Sequence, residues 1–262
     1  MIPEFLLRSI TAGIIAAVIS SFIGVYVVLR RLSFFTHAIS HGSLTGVAIA
    51  YIFGINPFAT AIAFGGLIGL AIGLTMEKTK LYADSIIGTL LPASISIGLV
   101  IISLMKGYKP DLLSYLFGDI LSVTSSDIAV MLVIGIIILI FLASLFNKIT
   151  LMSIDEEWAK TKGINTKTLG YIFLLILSVA VIVGARVVGI ILVSALIVMP
   201  PSSSMNIAKN LKQTFILSII FSVSSVIIGI FASYILNIPS GPSIILVLSV
   251  IFLITFIKRR KK

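Results

Sequence analysis

Span-length apolar runs recur from one end of this chain to the other, and they constrain its fold more than any motif. A helix that crosses a bilayer needs about 20 mostly apolar residues. Nine segments fit: 5–29, 34–54, 58–76, 85–105, 128–147, 169–185, 188–200, 213–236 and 243–257. Lipid must supply much of their surroundings. Only 11% of the 262 residues are charged and 59% are hydrophobic, whereas a soluble domain carries about 25% charged residues. Backbone polar groups in hydrocarbon have no water to bond, so such segments fold as helices. The expected fold class is all-α, a polytopic integral membrane helical bundle of about nine transmembrane helices, with one transmembrane domain over residues 1–262.

The charges between the runs predict the orientation. With Arg30 and Arg31 on the cytoplasmic side and strict alternation from there, that side holds 15 of the 19 basic residues. It collects Lys78, Lys80, Lys148, Lys160, Lys162, Lys167, Lys209, Lys212 and the tail Lys258–Lys262. Arg8, Lys106, Lys109 and Arg186 fall outside. Positive charge on the inner side is the usual bias of short loops, so the N-terminus is expected outside and the C-terminus in the cytoplasm. The first run is read as a retained helix rather than a cleaved leader. Only Arg186 separates 169–185 from 188–200, but joining them would turn the basic tail outward. Residues 111–126 are too short and polar to span, and are expected to form an interfacial or re-entrant segment.

The net charge of +10 sits in these loops and speaks for an anionic membrane surface, not nucleic acid. Without cysteine there are no disulfides or thiolate metal sites. The longest cytoplasmic connection, 148–168, is too small to bind ATP and lacks a phosphate-binding glycine loop.

His37 and His41 are the only histidines. They lie four residues apart in SFFTHAISHGSLTG, so on a helix both imidazoles share one face. Two neutral imidazoles on one face suit a divalent transition metal. The other reading is that both hydrogen-bond to neighbouring helices, as polar groups in a span must find partners. Two ligands leave a site open, as passage of an ion requires. Asp119 in LFGDIL is placed on the outer side, either admitting a cation or simply solvated. Asp127 reads as a helix N-cap. In the 148–168 connection, SIDEEWAKTKGIN predicts a short helix over 155–162 that stops at Gly163. It carries Trp158, the single tryptophan, and either lies on the membrane or fits a partner's groove.

Glu157-Trp158-Ala159-Lys160-Thr161-Lys162-Gly163 resembles the E-A-A-x-x-x-G loop by which importer permeases dock on their ATPase. Together with segments 24–51, 114–127, 185–200 and 237–249, taken in order, the chain resembles the zinc, manganese and iron ABC-transporter permeases. The resemblance implies a type II ABC importer-like fold. It implies a second copy of the chain, cytoplasmic ATP-binding subunits and an extracytoplasmic metal-binding protein. It places ATPase docking on Asp155, Glu156, Glu157, Trp158, Ala159 and Gly163. The family pattern G-D-x-x-x-H aligns its His with His41 and puts Thr36-His37 where Gly-Asp is usual. That leaves His37, His41 and Asp119 as candidate metal contacts and weakly favours zinc over manganese.

The expected function is inward transport of a divalent transition-metal ion, with ATP hydrolysed on a partner subunit. The chain itself is then no enzyme, has no tightly bound cofactor and carries zinc or manganese as cargo. One rival is a permease for cobalamin or iron chelates, in which the histidine pair has no evident task. Another is an ion-gradient carrier, which needs carboxylates inside its spans. An intramembrane metalloprotease is excluded by the missing H-E-x-x-H glutamate.

Overall fold

The computed structural model describes residues 3–79, 81–104, 120 and 123–259. Eleven helices follow one another: α1 (Glu4–Leu29), α2 (Phe35–Phe53), α3 (Pro57–Lys78), α4 (Ala83–Leu104), α5 (Ser125–Ser144), α6 (Phe146–Ile154), α7 (Glu156–Thr161), α8 (Thr166–Val188), α9 (Ile190–Ile207), α10 (Leu211–Leu236) and α11 (Ser240–Arg259). Among the described residues nine helices have 18 residues or more. Eight of these are long and apolar enough to cross a membrane. The ninth is α2, whose 19 residues are diluted by Thr36, His37, Ser40, His41, Ser43 and Thr45.

Several boundaries differ from the sequence reading. The divider between α8 and α9 is Gly189, held at φ 89° and ψ 155°, and Arg186 lies inside the last turn of α8. Only glycine takes such a conformation without strain. Helix α9 runs through Pro200 and Pro201 to Ile207 instead of stopping near 200. The 148–168 connection is not one loop but holds most of α6 and all of α7. Asp127 is not the N-cap of α5. Thr124 caps, its hydroxyl accepting from the Asp127 N–H at 3.2 Å, and the Asp127 carboxylate accepts from the Thr124 N–H at 3.4 Å. This is a capping box. Asp119 and most of the 111–126 segment lie outside the described residues.

Helices α1, α8 and α9 form the centre, each with more than half of its most apolar stretch buried. Helix α10 packs on α1 and α9, α11 packs on α9 and α10, and α2 packs between α3 and α4 with an edge toward α8 and α9. Small residues set the closest approaches. Gly24 of α1 backs onto α9, where an added Cβ would lie 2.0 Å from the Ile197 carbonyl oxygen and 2.9 Å from Pro201. Pro201 has no N–H to give the carbonyl four residues earlier, which is that of Ile197. The carbonyl freed by one helix is thus covered by the bare backbone of another, as a bilayer interior demands.

Candidate metal route and coupling helix

Helix α2 starts unusually deep. Its first residue, Phe35, reaches to the middle of α3 and α8, where a Cβ built on Gly69 would meet Phe35 Cζ at 3.3 Å and Ser178 Oγ at 2.6 Å. One turn on, Ile39 packs at Gly65 beside Ile182. His37, between them, therefore sits near mid-depth and His41 a turn nearer the α3 N-terminus. The pair is deeper than counting inward from a helix end near residue 33 suggests.

The depth comes from the turn between α1 and α2. Arg31 adopts φ 57°, a left-handed conformation rarely seen outside glycine and asparagine. Its N–H donates to the Val28 carbonyl at 3.1 Å, and the Leu32 N–H donates to the Val27 carbonyl at 2.9 Å. These two bonds make a Schellman motif, and Leu32 is buried behind it. Chain reversal is completed in five residues, with the turn sunk into the bundle.

His37 and His41 project from one side of α2 as the four-residue spacing predicts. Their ring centroids are 6.4 Å apart and the planes are inclined by 15°. Both are half-buried, whereas Thr36, Ala38, Ile39, Ser40 and Gly42 around them are buried. Neither imidazole has a hydrogen-bond partner among the described residues. His37 instead borders a cavity of about 330 Å³ that also touches Phe34, Ser194, Val198, Met199 and Ile245. The Ser194 hydroxyl, on a residue only 3% exposed, has no partner either. Ser194 and Met199 were not singled out in the sequence, where they lie unmarked in an apolar run. No group of three or more His, Asp or Glu side chains able to hold a metal occurs among the described residues.

A second cavity, of about 320 Å³, opens between the N-terminal end of α3 and the C-terminal end of α8. Ser43, Asn56, Phe58 and Arg186 line part of it. Arg186 pairs with Asp127 at 3.1 Å and lies 4.5 Å over the Phe58 ring. The carboxylate and the ring hold this cation at the rim.

At the opposite end lies α7. Asp155 caps it, accepting from the Trp158 N–H at 2.9 Å. Glu157 pairs with Lys160 at 2.8 Å, and this hydrogen bond holds the exposed Lys160 ammonium above the ordinary lysine range. Gly163 ends the turn at φ 77° and donates to the Lys160 carbonyl at 2.9 Å. Ala159 faces inward and is fully buried, while Glu157 and the indole of Trp158, 53% exposed, face out. Below α7 lies an aromatic floor. The Tyr26 hydroxyl shares a hydrogen bond with Thr150 of α6 at 3.0 Å, and its ring meets Phe22, Phe146, Phe173 and Phe215 at 5.4 to 6.4 Å.

A bundle of span-length helices with a short capped helix between two of them defines a polytopic membrane protein of the transporter class. Residues 3–259 match the family described as the ABC 3 transport family, and the chain belongs to it. It is 36% identical over 256 residues to the manganese transport system membrane protein MntC of Listeria monocytogenes, covering 98% of this chain and 90% of the relative. It is 30% identical over 249 residues to the high-affinity zinc uptake system membrane protein ZnuB of Buchnera aphidicola, covering 95% of each. The structure of PsaBC from Streptococcus pneumoniae in complex with Fab superposes with a TM-score of 0.84 at 29% identity, over 97% of this chain and 91% of that one. An inward-facing metal-chelate type ABC transporter shares the fold at 19% identity, with a TM-score of 0.75 over 96% and 85% of the two chains.

Proposed function

We propose that this chain is the membrane-spanning permease subunit of an ABC importer that moves a divalent transition-metal ion, manganese or zinc, into the cytoplasm. Its relatives are manganese and zinc uptake membrane proteins. The observation that carries the reading is the pair His37 and His41, stacked at mid-depth on the half-open face of α2 without hydrogen-bond partners among the described residues. Packing histidines would be bonded to neighbouring helices, since a buried polar group left unpaired costs about 1–3 kcal/mol. A pair left open on this face instead fits an ion that binds in passing. Asp119 remains a candidate outer contact. The ion is cargo, and two imidazoles offer it a stop rather than a closed cage. A second copy of the chain covers the open face of α2, and an extracytoplasmic metal-binding protein delivers the ion. ATP is hydrolysed on cytoplasmic partners that dock on α7 within 148–168, through Asp155, Glu156, Glu157, Trp158, Ala159 and Gly163.

An ion-gradient carrier fits less well. Glu4, Glu77, Asp84 and Asp127 all sit in the first or last turn of their helices, and none of the described carboxylates lies inside a span.

In the orientation that follows, α7 and the basic tail face the cytoplasm. The absence of native cysteine makes this directly measurable. Single cysteines at exposed Lys162 and at Lys258 should resist an impermeant thiol reagent in intact cells and react after lysis. Labelling of either from outside inverts the topology.

Coupling is tested on α7. Trp158→Ala removes exposed surface without touching the buried Ala159 side of the helix. Gly163→Pro forces φ to about −65° and deletes the N–H that holds the turn. Both variants should insert normally yet lose most of the metal-stimulated ATPase activity of the assembled complex. Wild-type stimulation in both would mean that the ATPase docks elsewhere.

A further inference from the structure

Arg30 is a cation in the wrong place for a loop charge. It follows α1 directly, where positive charge normally faces the aqueous phase, yet its Nη1 atom is buried and has no hydrogen-bond partner among the described residues. The guanidinium lies 5.3 Å over the Phe173 ring of α8 and passes close to the backbone of Gly170, where a built Cβ would be 3.6 Å from Nη2. Burial pushes it down from the ordinary arginine range, and the charge of Glu156, in the first turn of α7, opposes this. Glu156 also accepts from Thr166 Oγ1 of α8 at 3.2 Å and lies 3.4 Å from Lys160. A half-buried arginine whose inner nitrogen has no partner among the described residues, near a carboxylate held by Thr166 and Lys160 instead, is set to exchange contacts.

The other end of Arg30 is stiff. Its own N–H donates to the Tyr26 carbonyl at 2.9 Å, and the two Schellman bonds follow at Arg31 and Leu32. The Phe35 N–H then donates to the Leu32 carbonyl at 3.0 Å, and the Ala38 N–H to the Phe34 carbonyl at 3.2 Å. These bonds tie the Arg30 backbone closely to the start of α2.

We infer that Arg30 is a positioning residue that joins α7 to the histidine-bearing first turns of α2, through its stack on Phe173 of α8, the helix whose Thr166 hydroxyl holds Glu156 of α7. The inference rests on the reading of the chain as an ATP-driven permease. It adds the internal connection between the ATPase-docking surface and the metal route. Arginine suits the task because its planar guanidinium stacks on an aromatic face and presents donors in several directions at once, which a lysine ammonium does not do.

The test uses the permease assembled with its ATPase in proteoliposomes, with manganese or zinc as probe. Arg30→Met, Arg30→Lys and Phe173→Leu are compared with wild type for ATP hydrolysed and metal taken up. All three should raise the ATP spent per ion by about 10-fold or more, within the usual range for coupling between two sites. Lysine should fail to rescue despite its charge. A merely structural role would lower hydrolysis and uptake in parallel and leave the ratio unchanged, and that outcome overturns the inference. So does a wild-type ratio in Arg30→Met. ATP-independent uptake by the wild-type complex would instead overturn the permease reading itself, and this inference with it.

Discussion

Replacing His41 by alanine is expected to lower metal uptake by about 100-fold or more at matched membrane expression. Even outer partners of a metal ligand are worth about 10- to 100-fold, and His41 is placed to touch the ion. Its ring stands on a half-buried face, has no hydrogen bond to lose among the described residues and stacks only on His37. Folding should therefore survive the substitution, and uptake alone should report the loss. His37→Ala should act in the same direction, since one imidazole offers half the ligands. His37→Asp restores the carboxylate usual at this place in the resembled family, and should retain transport while shifting preference toward manganese, the harder ion. The measurement is initial-rate uptake of zinc and manganese by each variant in the complete complex. Wild-type rates in both alanine variants would make the pair packing residues and move the metal route elsewhere.

The second large effect concerns assembly. Gly24→Val should leave little properly folded permease, because three atoms of α9 occupy the space that any side chain there would need. The first two are backbone atoms of Ile197, at 2.0 and 2.9 Å from a built Cβ, and the third belongs to Pro201. Overpacked sites cost about 1–3 kcal/mol, and more where nothing yields. Neither a carbonyl in mid-helix nor a proline ring yields easily. Separation of α1 from α9 would also leave the Ile197 carbonyl uncovered. Gly88→Ala is the control, since none of the described residues lies within 4 Å of a built Cβ there. It should be neutral or slightly stabilising, because alanine restricts the unfolded chain. Thermal unfolding in detergent, followed by gel filtration, separates the two. A Gly24→Val permease as stable as Gly88→Ala would refute the tight α1–α9 contact.

The sequence by itself determined that the chain folds as a bundle of span-length helices. Hydrocarbon leaves the backbone no alternative, so apolar length translates directly into spans, and all nine candidate segments correspond to helices. It also determined that His37 and His41 share a face, which follows from helical geometry alone, and that a short helix in the 148–168 connection stops at Gly163; the Asp155 cap came from the structure. Local rules were weaker where two helices meet end to end. Gly189 rather than Arg186 separates α8 from α9, because the required φ is positive and the charge is incidental. Proline at 200 and 201 did not end α9, because α1 covers the carbonyl that Pro201 leaves free. Only the tertiary structure decided depth and partnership. The Schellman turn at Arg31 sinks α2 toward the middle of the bundle, so the histidines lie deeper than distance along their own helix indicates. Packing then turns Arg30 from a loop charge into a contact on the Phe173 ring of α8. Sequence assigns a charged residue to a side of the membrane, but whether water or a phenylalanine ring meets it depends on helices more than a hundred residues away.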